Sequence, residues 1–76
     1  MVVERGRVCT KLLGREAGNI CAITERVDKN FAMVVGPNVR KRRCNITHLE
    51  LHDTKLELPD EASDDDFINE LTKMIQ

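Results

Sequence analysis

Arg40, Lys41, Arg42 and Arg43 stand in a row, and Lys11 and Arg15 add two cations earlier in the chain. Guanidinium and ammonium groups at this density suit charge-assisted hydrogen bonding to phosphate oxygens. The planar forks of Arg40, Arg42 and Arg43 match such an anion in two places, whereas Lys41 offers a compact point charge. If "RRCNI" is extended, alternate side chains point to opposite faces, so Arg43 and Asn45 face away from Cys44 and Ile46. The four charges therefore cannot all serve one groove. In an arbitrary cytosolic protein such a run is more often a plain solvated face, and a phosphate role needs independent support.

Charge distribution supplies some. The formal net charge is only -1. Through Cys44, however, ten Lys or Arg stand against four Asp or Glu, while from Asn45 onward two stand against nine. A basic, partner-facing part is followed by an acidic tail, which makes nucleic acid a candidate partner for the first part alone.

Other chemistries are poorly provided for. Cys9, Cys21 and Cys44 are odd in number, widely spaced and without a CxxC pair, which favours neither a disulfide framework nor a zinc site and suggests three small buried apolar residues. His48 and His52 would share a face only on a helix, which this stretch does not suggest. Serine, histidine and carboxylate form no evident nucleophilic set, so no enzyme, cofactor, metal or small-molecule substrate is expected. No apolar run is long enough to span a bilayer, and "MVVERGRVCT" carries charges where a signal peptide needs apolar residues, which suggests a cytoplasmic protein without membrane association.

The elements that must position the cations are short. With 76 residues the chain has room for one small domain. "GRVCTKLL" reads as a first strand, followed by the turn "GREAG", in which Gly14 and Gly18 allow backbone angles closed to other residues. "NICAITERV" reads as a second strand, "DKN" as a turn, and "FAMVV" as a third strand with apolar residues on both faces. After "GPN", "RRCNI" is a fourth strand and "TKLEL" a weaker fifth. Five short strands favour a mainly β, closed barrel over residues 1–58. Residues 59–76 read as a linker and a helix, "SDDDFINELTKMIQ", with Ser63 capping and Phe67, Ile68, Leu71, Met74 and Ile75 forming the face that covers the barrel. Phe31 is expected in the barrel core and Phe67 at the helix contact.

The run "ERGRVCTKLLGREAGNICAITERVDKNFAMVVGP", then a basic strand and "CNITHLEL", resembles a KOW motif in an SH3-like barrel. More narrowly, it resembles the archaeal and eukaryotic ribosomal large-subunit protein fourteen family. "GRVC", "GREAG", "VVGP", "KRRCNI" and "HLE" carry the likeness through their order and spacing, and the short length looks archaeal. Leu51 stands where such sequences often have proline, and the chain lacks the overall basic charge of most ribosomal proteins. The resemblance implies a ribosome-associated, structural constituent of the large subunit, with large-subunit ribosomal RNA and neighbouring ribosomal proteins as partners. It turns the basic run from a solvated face into an RNA contact. The expected RNA-binding residues are Lys11, Arg15, Arg40, Lys41, Arg42 and Arg43, with the backbone at Gly14 and Gly18 approaching RNA. With only two aromatic residues there is no stacking platform, so folded RNA read through its backbone fits better than single strands. The alternative, an SH3-like protein adaptor without RNA contact, lacks the Trp or Tyr that would line a peptide groove.

Overall fold

The computed structural model describes residues 3–75. Met1 and Val2, at the start of the expected barrel unit, and Gln76, at the end of the expected helix, lie outside the described residues. Five strands follow one another: β1 (Arg7–Lys11), β2 (Ile20–Arg26), β3 (Phe31–Gly36), β4 (Val39–Asn45) and β5 (Leu49–Lys55). One α-helix, α1 (Asp64–Ile75), follows them among the described residues. The strands form a single antiparallel sheet in the order β4-β3-β2-β1-β5. A one-turn 3-10 helix over Ile46–His48 carries the chain from one edge strand to the other.

Burial explains why this sheet curls. Cys9, Cys21, Ile23, Ala32, Val34, Val39, Cys44 and Leu49 form one core to which every strand contributes, the interior of an SH3-like barrel. Alternation along β1, β2 and β3 sends Val8, Ala22 and Val35 to the opposite face, where they meet Phe67 and Leu71 of α1. These three strands are therefore apolar on both sides, and the helix covers the side that the barrel does not.

Several devices hold the helix there. The Ser63 N–H donates to Asp66 Oδ2 at 3.0 Å while the Asp66 N–H donates to Ser63 Oγ at 3.4 Å, a reciprocal cap built with aspartate. Arg5 donates to the carbonyls of Leu58 and Pro59 at 3.2 and 2.8 Å, and its guanidinium lies 5.0 Å from the centre of the Phe67 ring. At Gly6, with φ of 93°, an added Cβ would meet the Leu56 carbonyl, so only glycine lets the end of β5 approach this closely.

The structure corrects several sequence expectations. The fifth strand is Leu49–Lys55 rather than "TKLEL": the Asn45 side chain accepts from the Thr47 N–H at 2.9 Å and its hydroxyl at 2.7 Å, ending β4 in a tight turn. The next strand then starts at once, with Leu49 entering the barrel core, while Leu56 and Leu58 pack beneath the helix instead. β1 stops at Lys11, leaving Leu12 and Leu13 exposed, and β4 begins at Val39, so the whole basic run is strand. Met74 and Ile75 are exposed, so the helix packs through Phe67, Ile68 and Leu71 alone among its expected face residues. Phe31 is only partly buried and belongs to neither core. Among the described residues no helix is long and apolar enough to cross a membrane.

Phe67 is the largest side chain fully enclosed between helix and sheet. Phe67→Ala is expected to cost about 3–5 kcal/mol in urea unfolding. Met74→Ala, on the same sequence periodicity but in solvent, is expected to stay within about 0.5 kcal/mol of wild type.

Candidate nucleic-acid interface

The loop between β1 and β2 folds back toward β4 because it contains Glu16. Gly14 and Gly18 both take φ of 87°, and Gly18 N–H reaches back to the Lys11 carbonyl at 2.7 Å, closing the loop. Glu16 Oε2 accepts the backbone N–H of Arg40 at 2.8 Å, while Oε1 lies 3.2 Å from Lys11 Nζ and 3.4 Å from Arg42 Nε. The Arg40 N–H bond, aided by the Lys11 and Arg42 charges, holds the Glu16 carboxyl below its ordinary value against the opposing effect of burial. One carboxylate thus joins the loop, the end of β1 and the basic strand.

Around this joint lies a cavity of about 320 Å³ lined by Lys11, Gly14, Arg15, Glu16, Arg40 and Arg42. Four cations face one carboxylate. Arg15 is exposed, and neither its side chain nor that of Arg40 is hydrogen-bonded or ion-paired to a described residue. Arg42 is half exposed; it approaches Glu16 most closely through Nε, at 3.4 Å, and its terminal nitrogens hydrogen-bond to no described residue.

The expected site residues are thereby divided. Lys11 ends β1, is 7% exposed, and its ammonium is committed to Glu16. Lys41 pairs with Asp64 of α1 at 3.1 Å, beside an adjoining groove that shares Glu16 and Arg40 with this cavity and also contains Pro37, Asn38 and Ile68. Arg43 lies over the Phe31 ring, 4.7 Å from its centre, which explains why Phe31 remains at the surface. Gly14 and Gly18 border open space, with nothing within 4 Å of an added Cβ. Their positive φ accounts for glycine there, and the open space is compatible with a backbone approach.

Sequence reasoning missed Glu16, and it also missed how many cations brace the fold. Arg5 holds the linker, and Arg7 donates to the His52 and Asp53 carbonyls at 3.2 and 2.9 Å across the β1–β5 pairing. His52 bonds Thr10 Oγ1 at 2.7 Å and His48 is exposed, so the two histidines make no common site. All three thiols are free and buried. Cys9 and Cys21 are cross-strand partners with sulfurs 3.2 Å apart; the bond to Cys21, with burial, pushes the Cys9 thiol up, and burial raises Cys44. No group of three or more potential metal ligands occurs among the described residues.

The chain is 57% identical over 61 residues to the large ribosomal subunit protein eL14 of Methanococcus vannielii, covering 80% of this chain and 78% of that protein. It is 46% identical over 74 residues to the protein of the same name from Aeropyrum pernix, covering 92% and 74%, respectively. To the Saccharolobus solfataricus protein of that name it is 44% identical over 73 residues, 91% of this chain and 76% of the relative. No family model matches the chain.

Acid provides a test of the Glu16 joint. Its folded-state pKa lies below the unfolded one, so its stabilisation is fully present above the unfolded value, about 4.3, and is lost as pH falls through the folded value. Glu16→Gln should lower the urea midpoint at pH 7, and the gap from wild type should close toward pH 3. A gap of equal size at both pH values would contradict the charge assignment.

Proposed function

Because the chain belongs to the eL14 family of large ribosomal subunit proteins, in its archaeal form, we propose that it is a non-catalytic constituent of the large subunit that binds and stabilises folded ribosomal RNA. The observation that carries this reading is the gathering of Arg15, Arg40 and Arg42 around one cavity, with most of their donors uncommitted. A phosphodiester has acceptor oxygens on every side, so three guanidinium groups converging from a loop and a strand can hold it without reading a base. Lys41 and Arg43, already engaged by Asp64 and Phe31, contribute at the margins, and Lys11 acts from below through Glu16.

The acidic region has a different task in this reading. Asp60, Glu61, Asp65 and Asp66 are exposed and would be repelled by phosphate, so that side of the molecule turns to solvent or to neighbouring ribosomal proteins of basic character. The protein accordingly acts in the cytoplasm, associated with the ribosome.

The endogenous protein should sediment with large subunits and remain there after a moderate salt wash. In a salt titration with a folded large-subunit RNA fragment, each lost phosphate contact should flatten the dependence of log affinity on log salt by roughly 0.7–0.9. Replacing Arg15, Arg40 and Arg42 together by Gln should therefore reduce the slope by about 2–3. The pair Lys41→Gln and Arg43→Gln should change it less. Equal effects would mean that the cavity has no special part in binding, and wild-type affinity in a folded triple variant would remove this face from the RNA contact.

A further inference from the structure

We propose that Glu16 is the positioning residue of this RNA contact, a carboxylate that strengthens phosphate binding although it carries the charge that phosphate repels. The inference rests on the ribosomal RNA reading above and specifies how the site is organised.

Three geometric facts carry it. Glu16 is the one acid lining the cavity formed by Lys11, Gly14, Arg15, Arg40 and Arg42, so it stands where an incoming anion would meet it. Its two oxygens are both occupied by groups of the surrounding basic elements: the Arg40 main chain, the Arg42 Nε and the Lys11 ammonium. Finally, the Glu16 side chain is only 15% exposed, while Arg42 remains 49% exposed. The ion pair at Nε holds the Arg42 side chain beside the cavity, and its terminal nitrogens, which hydrogen-bond to no described residue, remain for a phosphate, an arrangement suited to bidentate recognition. Taking the Arg40 N–H ties the loop that carries Arg15 to the strand that carries Arg40 and Arg42. Lys11, buried beside the same oxygen, offsets the negative charge from below.

Without Glu16, the loop would keep its own backbone closure but lose its tie to β4, and the three guanidinium groups would repel one another and have to be ordered when RNA arrives. Ordering long side chains on binding costs roughly 0.5–1.5 kcal/mol for each. The carboxylate lowers that cost at the Arg42 side chain, while for Arg15 and Arg40 it fixes only the backbone that carries them.

Two substitutions separate positioning from simple charge. Glu16→Gln keeps the shape and removes the charge; a field effect alone would tighten RNA binding. Glu16→Asp keeps the charge and shortens the reach; a field effect alone would leave affinity unchanged. Positioning predicts that both weaken binding, by roughly three- to tenfold, or about 0.7–1.4 kcal/mol. Affinities are measured by salt titration against a folded large-subunit RNA fragment, below the melting range of each variant and corrected for active fraction by stoichiometric titration. The same Glu16→Gln change is then made in an Arg42→Gln protein. If Glu16 acts through Arg42, its loss there should cost less than half as much on a logarithmic scale.

Tighter binding by Glu16→Gln with unchanged Glu16→Asp would overturn the positioning role while leaving the RNA reading intact. So would an equal loss with and without Arg42, the mark of a general structural defect. If Glu16→Gln fails to fold, the Glu16→Asp comparison decides alone, wild-type affinity counting against the proposal. Failure of the wild-type protein to bind the RNA would overturn the ribosomal RNA reading, and this inference with it.

Discussion

Burial on both faces of β1, β2 and β3 is the constraint from which the rest of the structure follows. Val8 and Cys9, Cys21 and Ala22, and Val34 and Val35 are adjacent pairs in which one member enters the barrel and the other enters the layer under α1. A barrel of this size cannot leave the second set wet, since burying a Val, Leu or Phe side chain is worth about 1.5–3 kcal/mol. The helix must therefore lie across these strands, with Phe67 and Leu71 inward. That placement determines what is left for display. β4 stands at the edge of the sheet, and its four central residues are all exposed. An exposed edge invites pairing with another chain, and consecutive cations discourage it. The same residues serve as an edge guard and, in the proposed function, as an RNA contact, without any conflict between the two.

A near-neutral total charge is compatible with a basic contact because charge acts locally. At physiological salt the screening length is about 8 Å, so a phosphate at the Arg15, Arg40 and Arg42 cavity responds to its immediate surroundings rather than to the whole chain. The cations also differ in kind. Arg5, Arg7 and Lys11 are tied into the fold by carbonyls and carboxylates, and Lys41 bridges to the helix through Asp64. A count of positive residues in the first half of the chain thus exaggerates what is on offer to a partner. The acidic tail, in turn, is partly structural: Asp66 closes the helix cap, and Asp64 meets Lys41.

Which features were legible in the sequence depended on the range of the interactions that set them. The first four strands and the helix came from local apolar periodicity, and Ser63 with Asp66 is a local signal that the structure reproduces. The fifth strand was displaced because both "LELHDTK" and "TKLEL" alternate; the Asn45 to Thr47 turn decides between them by starting the strand earlier. Lys11 was read as a surface cation because lysine is rarely buried unless paired. Its partner lies across a loop whose path depends on a third element, β4. Phe31 was assigned to the core for the complementary reason: aromatic residues are usually buried, and the stacking of Arg43 from the neighbouring strand is a tertiary contact. The resemblance to a ribosomal family rested on the order of short motifs, and the eL14 relatives bear it out.

In the proposed function, stability and binding meet at Glu16. A buried lysine left without its carboxylate carries a heavy desolvation penalty, so Lys11 alone would oblige the loop to supply an acid. Once that acid is present, its second oxygen can take the exposed backbone of the edge strand, and its first can also reach Arg42. A requirement of the barrel interior thereby fixes the geometry of groups at the surface. The coupling runs outward from the core: the end of β1 places Lys11, Lys11 retains Glu16, and Glu16 aligns the loop with β4. It also explains why an acidic residue belongs in the middle of a basic face. The charge it subtracts from the field is offset by the ammonium beneath it, while the order it imposes on the arginines has no such counterpart.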